Sequence, residues 1–257
     1  MLPLIEARWP APANVRAFST TREGGVSVAP YASLNLGLHV GDEAGAVRQN
    51  RRRLTECLPG STELSWLEQV HGTDVVSASA GGRVARADAQ WSDHPGIACA
   101  VLTADCLPVL LCTVAGDRVA AVHAGWRGLA GGVVEAAVDA MRVDPGTLLA
   151  WLGPAIGPAA FEVGAEVRDA FLCAAGAAAE ATAAAFRPGR DGRFQADLYA
   201  LARLRLAAVG VTAVYGGNLC TYLHEKMFYS YRRDGTTGRM ASVITLVPDD
   251  PAQHTPT

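Results

Sequence analysis

The sequence has almost no excess of charge of either sign, and this excludes several classes of function. Its 257 residues include 22 basic and 25 acidic side chains, so the formal net charge is -3. Because no basic excess is available to neutralise phosphates, we expect no nucleic-acid partner. The dinucleotide fingerprint GxGxxG and the phosphate loop GxxxxGK[ST] are both missing, which excludes the two commonest nucleotide-binding motifs.

Cysteine pairs of the CxxC type and long apolar runs are also missing. The six cysteines have a spacing that argues against a zinc ribbon or a thioredoxin-type redox site. The longest apolar stretch, residues 97–114, is interrupted by Asp105 and Pro108 and is too polar to span a bilayer. The N-terminus lacks the charged start and apolar core of a signal peptide. We therefore expect a cytoplasmic protein with reduced cysteines and no membrane partner.

Short apolar runs alternate with helical patterns along the chain, which is typical of an α/β (α+β) protein. Several runs are joined by turns too short for a crossover helix, so neighbouring strands must be antiparallel. We predict a single domain over residues 1–257, a monomer, with a mixed, largely antiparallel sheet, covering helices and a loose tail at 248–257. The predicted strands are 64–70, 97–103, 108–114, 118–122, 148–152, 211–215 and 242–247, and the predicted helices are 43–58, 129–143, 164–175, 174–185 and 197–209.

One predicted hairpin brings two reactive side chains to the same end of the sheet. Cys106 precedes the outgoing strand, and His123 follows the returning one. A turn centred on Gly116 places His123 opposite Val109, which is about 10 Å from Cys106 if the strands are straight. A bend in the segment TADCLP would close that gap.

His71, Cys106 and His123 make a plausible three-ligand metal set. Two imidazoles and a thiolate suit Zn²⁺ and leave a fourth position open for water or substrate, as in catalytic zinc sites. The same set also occurs in blue-copper sites. A multicopper oxidase would need on the order of eight further histidines, whereas this chain has six in all. We therefore reject multicopper chemistry.

Two other interpretations of these residues remain open. Cys106 and His123 would also serve as nucleophile and base of a cysteine hydrolase, with Asp105 or a backbone carbonyl orienting the imidazole. Such a dyad has no need of His71, whereas a zinc site does. The simplest alternative is that the cysteine is a small buried apolar residue and each histidine only satisfies a backbone carbonyl.

Three arginines are candidates for binding an anion. Arg51 lies on the predicted helix 43–58, Arg22 precedes two glycines whose backbone can turn towards an anion, and Arg232 lies in the segment SYRRDGTTGRM. The alternative for each is a solvated surface side chain.

The motifs, taken in order, resemble those of the YfiH-like family, historically labelled multicopper polyphenol oxidase or laccase domain. The resemblance runs from about Phe18 to Leu246. It rests on TREGGVS, SLNLGLHVGD, AVRQNRRRL, WLEQVHG, TADCLPVLL, AVHAGWRGLAGGVVE, AWLGPAIGPAAFEVG, ADLYALARLRL, GGNLCTY and FYSYRRDGTTGRMAS.

The resemblance implies one zinc ion held by His71, Cys106 and His123, with copper as the metal of the older label. It also implies a fold similar to the catalytic domain of cytotoxic necrotizing factor. The implied activities are phosphorolysis of adenosine, inosine, guanosine and methylthioadenosine, and deamination of adenosine. The partners are then a nucleoside and inorganic phosphate. Some relatives are linked instead to editing of peptidoglycan precursors, and a binding module without turnover is the remaining alternative.

Roles for further residues follow from that chemistry. Arg51 is the first choice for holding phosphate, with Arg22 and Arg232 as secondary candidates. Deamination, in which a water activated by the zinc attacks C6 of adenine, also needs a carboxylate that moves protons. Asp105 is the nearest in sequence. Asn35 is expected to hydrogen-bond the sugar or the base.

Overall fold

The structure, a computed structural model, describes residues 2–82 and 84–247. The tail predicted at 248–257 lies outside the described residues. In chain order the strands are β1 (Leu4–Glu6), β2 (Val15–Thr20), β3 (Glu63–Ser65), β4 (Leu67–Glu68), β5 (Val75–Ser77), β6 (Ala85–Arg86), β7 (Ala89–Ser92), β8 (Ile97–Thr103), β9 (Leu107–Thr113), β10 (Val119–Ala124), β11 (Leu148–Leu152), β12 (Glu162–Val163), β13 (Phe186–Pro188), β14 (Phe194–Ala196), β15 (Ala213–Gly216) and β16 (Met240–Leu246).

Two large sheets form the centre of the molecule. One has the strand order β1-β2-β16-β8-β3, and the other has the order β15-β11-β9-β10-β7-β5. Smaller sheets pair β12-β14-β13 and β4-β6. Eight of the twelve strand pairings among the described residues are antiparallel. The prediction of a mixed, largely antiparallel α/β fold is therefore confirmed.

Helices cover the outer faces of both sheets. They are α1 (Ala44–Thr55), α2 (Trp126–Gly131), α3 (Val133–Met141), α4 (Ala165–Cys173), α5 (Ala179–Ala184), α6 (Leu198–Ala208) and α7 (Tyr231–Asp234), with single 3-10 turns at Pro145–Thr147 and Gly176–Ala178. Among the described residues, none of these helices has the length and apolar character needed to cross a membrane.

Alternate side chains of the central strands point into different layers of the core. Leu110 and Cys112 of β9 pack between the two sheets against Val101 of the other sheet. Val109 and Leu111 point the other way and pack under the helices that follow β10. Every residue of β9 is buried, because the strand has a layer on each face. A strand buried on both faces explains why this segment is a continuous apolar run rather than an alternating one.

Three predicted elements are divided in the structure. The helix predicted over 129–143 is broken at Gly132, whose φ of 101° lies in the left-handed region and ends α2 before α3 begins. The strand predicted over 64–70 is divided into β3 and β4, and it ends at Glu68 rather than directly before His71. The alanine-rich helix predicted over 174–185 shortens to a 3-10 turn followed by α5, since Gly176 has a φ of 49°. The other predicted elements agree to within a few residues at each end.

We expect Leu111→Ala to lower the free energy of unfolding by about 2–5 kcal/mol, because it leaves a cavity in the fully buried layer under the helices. Urea denaturation followed by circular dichroism measures this change. Val114→Ala is the matched control: Val114 follows the same strand and is 56% exposed, so its effect should stay within about 0.5 kcal/mol. Equal effects of the two substitutions would contradict this description of the core.

Candidate active site

The hairpin of β9 and β10 brings Cys106 and His123 together. His123 pairs with Pro108 rather than with the predicted Val109, so it lies one residue nearer to Cys106 than expected. Asp105 has a φ of 91°, which turns the chain sharply as it enters β9. This is the bend that the segment TADCLP was expected to make. It is a strained conformation for a residue with a Cβ, and such strain is held only where surrounding contacts enforce it.

His71 completes the cluster from a different part of the chain. The possible ligand atoms of His71, Cys106 and His123 all lie within 4.8 Å of one another. His71 is exposed, Cys106 is partly exposed and His123 is buried, so the cluster opens to solvent on the His71 side. The structure therefore brings together the three residues that the sequence selected.

Asp88, which the sequence analysis missed, supports two of these residues at once. Its carboxylate accepts the backbone N–H groups of Val70, His71 and Gly72 at 3.1, 2.9 and 2.7 Å. It also contacts Nδ1 of His123 at 2.8 Å. Asp88 thus holds His71 in its left-handed conformation, with a φ of 61°, and orients the His123 ring. For the hydrolase interpretation, Asp105 or a backbone carbonyl was expected to orient the imidazole, whereas in the structure Asp88 contacts it.

Gly125 allows the cluster to close. A Cβ at this position would lie 2.8 Å from Nδ1 of His71 and 3.1 Å from Sγ of Cys106. Any side chain at Gly125 would therefore displace two of the three possible ligands. The first glycine of the motif HAGWRG is needed here because His71 and Cys106 approach its backbone closely.

The charges in the cluster favour a thiolate. Burial alone would raise the pKa of the Cys106 thiol, but the charges and hydrogen bonds of His123 and His71 outweigh burial and lower the pKa to about 6. Burial likewise opposes charge on His123, yet the Cys106 thiolate and the Asp88 carboxylate raise its pKa to about 9. By contrast, burial raises the pKa of the Cys112 thiol to about 12. Cys106 is therefore ionised near neutral pH, as a metal ligand or a nucleophile requires.

The donor set fits a zinc ion. A thiolate and two imidazoles are ligands that Zn²⁺ prefers, and the exposed side of the cluster leaves room for a further ligand. The contact of Asp88 with Nδ1 of His123 leaves Nε2 as the ligand atom of that ring, the arrangement found in carboxylate–histidine–metal sites. Among the described residues this is the one group of three such side chains with metal-binding geometry.

Asp105 uses its carboxylate to fasten a neighbouring segment. It accepts hydrogen bonds from Thr221 Oγ1 at 2.6 Å, from Ser230 Oγ at 3.0 Å and from the backbone N–H of Arg232 at 2.7 Å. These contacts tie the segment 221–232 to the turn that carries Cys106. They describe a positioning residue, and the proton-transfer role of Asp105 stays a prediction.

The three candidate arginines differ in what their guanidinium groups contact. Arg22 donates to the carbonyls of Ala32 and Glu225, and Arg232 donates to the carbonyl of Glu162. Arg51 donates only through Nε, to the carbonyl of Leu36 at 2.9 Å. Its guanidinium stacks on the ring of Trp66, 4.0 Å from the ring centroid. Arg51 and Arg232 each use one side-chain N–H group within the protein and Arg22 uses two, so Arg51 and Arg232 keep the most free donors for an anion.

Asn35 is fully buried and uses its whole amide inside the protein. Its Oδ1 accepts from the backbone N–H groups of Gly37 and Arg239, both at 2.9 Å. Its Nδ2 donates to the carbonyl of Gly37 and to the carboxylate of Asp42. The predicted contact of Asn35 with a sugar or a base is therefore wrong in this structure, and Asn35 instead positions Arg239.

Comparison with known proteins finds relatives that are named as enzymes. A Pseudomonas aeruginosa protein named purine nucleoside phosphorylase is 60% identical over 241 residues, which are 93% of this chain and 96% of the relative. The Escherichia coli purine nucleoside phosphorylase YfiH is 53% identical over 248 residues, which are 96% of this chain and 100% of the relative.

Solved structures agree with the fold. The crystal structure of a Neisseria meningitidis protein of the DUF152 family model has a TM-score of 0.91 and 53% identity, and the match covers 95% of this chain and 99% of that one. YlmD from Geobacillus stearothermophilus has a TM-score of 0.83 and 34% identity, with coverage of 93% and 94%. Residues 16–247 match the family model described as multi-copper polyphenol oxidoreductase laccase, and the chain belongs to that family.

Proposed function

We propose that the protein is a zinc-dependent purine nucleoside phosphorylase that also deaminates adenosine. The observation that carries the proposal is the His71–Cys106–His123 cluster, assembled within bonding range of one ion in a chain whose relatives at 46–60% identity are named purine nucleoside phosphorylases. Its substrates are adenosine, inosine, guanosine and methylthioadenosine, each with inorganic phosphate. In this proposal the reaction takes place in the cytoplasm. The protein acts as a monomer without nucleic-acid or membrane partners.

Zinc is the metal we assign to the cluster, with copper as the alternative suggested by the older family label. When bound, zinc would act as a Lewis acid and lower the pKa of a water molecule. The chain has six histidines in all, which is too few for the further copper centres of a multicopper oxidase. Oxidase chemistry of that kind is therefore not part of the proposal.

In phosphorolysis, an oxygen of phosphate bonds to C1′ of the ribose as the bond from C1′ to the purine nitrogen breaks. The bonding pair leaves with the purine, which takes up a proton, so the products are the free base and ribose 1-phosphate. Arg51 binds phosphate through its free terminal N–H groups and orients it for attack. Burial lowers the pKa of Arg51 to about 10, so the side chain is charged at neutral pH.

In deamination, water replaces the amino group at C6 of adenine and ammonia leaves. This reaction needs no phosphate, so the two activities separate experimentally. Asp105 is proposed to move protons between the water and the leaving amine.

A second candidate function is a cysteine hydrolase or amidase that acts on a peptidoglycan precursor. The contact of Asp88 with His123, and of His123 with an ionised Cys106, gives the order carboxylate, imidazole and thiolate that such enzymes use. His71 separates the two proposals, because only the zinc enzyme needs it.

We expect Cys106→Ala to lose bound zinc and both nucleoside activities together. Activity should fall by more than about a hundred-fold, which exceeds the loss expected when a residue that only hydrogen-bonds a metal ligand is removed. Adenosine is incubated with and without phosphate, the products are resolved by chromatography, and zinc is measured by mass spectrometry. Cys173→Ala, at an exposed cysteine, is the control and should match the wild type. A Cys106→Ala protein that retained zinc and released adenine would contradict the metal assignment.

We expect His71→Ala to lower zinc content and activity as Cys106→Ala does, because both remove a ligand. The same two measurements apply. His94→Ala, at a histidine whose side chain is 70% exposed, is the control. Full activity in His71→Ala would overturn the zinc mechanism and favour the cysteine hydrolase.

We expect Asp88→Asn to weaken zinc binding and activity by about 10- to 100-fold, the range for carboxylates that orient a ligating histidine. The substitution also replaces an acceptor of three backbone N–H groups, so the His71 loop is held less firmly. Zinc affinity is measured by competition with a chelator, with exposed Asp93→Asn as the control. An affinity within two-fold of the wild type would show that Asp88 does not position the ligands.

A further inference from the structure

Two arginines from distant segments are fastened to the same stretch of loop. Arg51 on α1 donates to the carbonyl of Leu36. The backbone N–H of Arg239, at the start of β16, donates to Asn35 Oδ1, and the carbonyl of Arg239 accepts from the N–H of Leu36. At Gly37, a Cβ would lie 2.9 Å from Cγ of Arg239, so only glycine admits this packing. Arg51 and Arg239 are thus both fastened to the segment 35–37.

His39 lies two residues further along the same loop and is exposed. Partial desolvation of its ring, followed by the charges of Arg239 and Arg51, lowers the pKa of His39 below its ordinary value. Together we group His39, Arg51 and Arg239, which come from a loop, a helix and the residue before a strand, as the cationic triad, named after its two guanidinium groups.

The cationic triad has no acidic partner. Among residues 2–82 and 84–247, no carboxylate oxygen lies within 4.0 Å of a nitrogen of Arg51, Arg239 or His39. Arg51 donates to the protein only through Nε, and Arg239 donates only through Nη1, to the carbonyls of Thr237 and Gly238. Burial lowers the pKa of Arg239 as it lowers that of Arg51. Guanidinium groups that keep free N–H donors and have no carboxylate in direct contact are suited to binding an anion.

The cationic triad also adjoins the metal ligands. Arg239 directly precedes Met240, which pairs with Thr103 of β8, two residues before Asp105 and three before Cys106. On the other side, Arg51 stacks on Trp66, which directly precedes β4 and the loop to His71. An anion held by the triad would lie between α1 and the metal ligands.

We propose that His39, Arg51 and Arg239 bind the phosphate that attacks C1′ of the nucleoside. This assignment rests on the proposed phosphorylase function, and it adds two residues to Arg51. Two guanidinium groups offset the charge of phosphate, and His39 donates a further hydrogen bond.

The test is the binding of inorganic phosphate to the zinc-loaded protein, by isothermal titration calorimetry with and without inosine. We expect Arg239→Gln and His39→Asn each to raise the Kd for phosphate, by about ten-fold to a hundred-fold for the charged arginine. In turnover, KM for phosphate rises in the same proportion, while KM for inosine and the rate of adenosine deamination stay within two-fold. Arg53→Gln, on the same helix as Arg51 and bonded to the carbonyl of Gly24, is the matched control and should leave phosphate binding unchanged.

The outcomes separate this assignment from the proposed function. If phosphate binding depends on Arg239 and His39 but no ribose 1-phosphate forms, the anion site is supported and the proposed phosphorylase function is contradicted. If both variants catalyse phosphorolysis with an unchanged KM for phosphate, the proposed phosphorylase function is supported and the assignment of the anion site is contradicted. Absence of phosphate binding to the wild type, with and without inosine, would also overturn it. His39 is exposed and makes no side-chain hydrogen bond among the described residues, so we expect His39→Asn to test the site with little effect on stability.

Discussion

The candidate site depends on one buried carboxylate. Asp88 accepts three consecutive backbone N–H groups and contacts Nδ1 of His123, and it is fully buried. Burial opposes its charge, but His123 and the N–H groups of Gly72 and Val70 outweigh burial and hold the pKa of Asp88 below its ordinary value. If this carboxylate were removed, the backbone N–H groups that donate to it would be left without an acceptor, at a cost in free energy. The position of His71 and the tautomer of His123 therefore follow from the same four contacts.

The fold provides rigid supports for that carboxylate. Asp88 directly precedes β7, and β7 pairs with β10, which carries His123. The N–H of His123 donates to the carbonyl of Asp88 at 2.7 Å, so both the backbone and the side chain of Asp88 are tied to the same strand. Cys106 directly precedes β9, the other strand that pairs with β10, and the bend at Asp105 sets its position. A site built on the ends of paired strands keeps its geometry better than one built on loops.

The parts of the site that local sequence could predict are those joined by a short turn. Cys106 and His123 flank a hairpin centred on Gly116, so their proximity follows from strand pairing over 17 residues. His71 was selected by its chemistry and by the family motif. Asp88 carried no comparable signal, because an aspartate before an apolar strand gives no indication of which loop it will contact. The left-handed Gly132, which divides one predicted helix into two, was likewise hidden in a continuous helical pattern.

By itself, the sequence determined the α/β class, the antiparallel hairpin, the donor types of the metal cluster and the family. These follow from periodicity, turn length and side-chain chemistry, which are local properties. Only the tertiary structure decided which carboxylate orients His123, and that Arg51 and Arg239 are fastened to the loop that carries His39. The physical reason is distance along the chain. Arg51 and Arg239 contact the same loop only because residues 35–37 pack between α1 and the start of β16. Such contacts depend on how whole layers pack, and no local pattern specifies them.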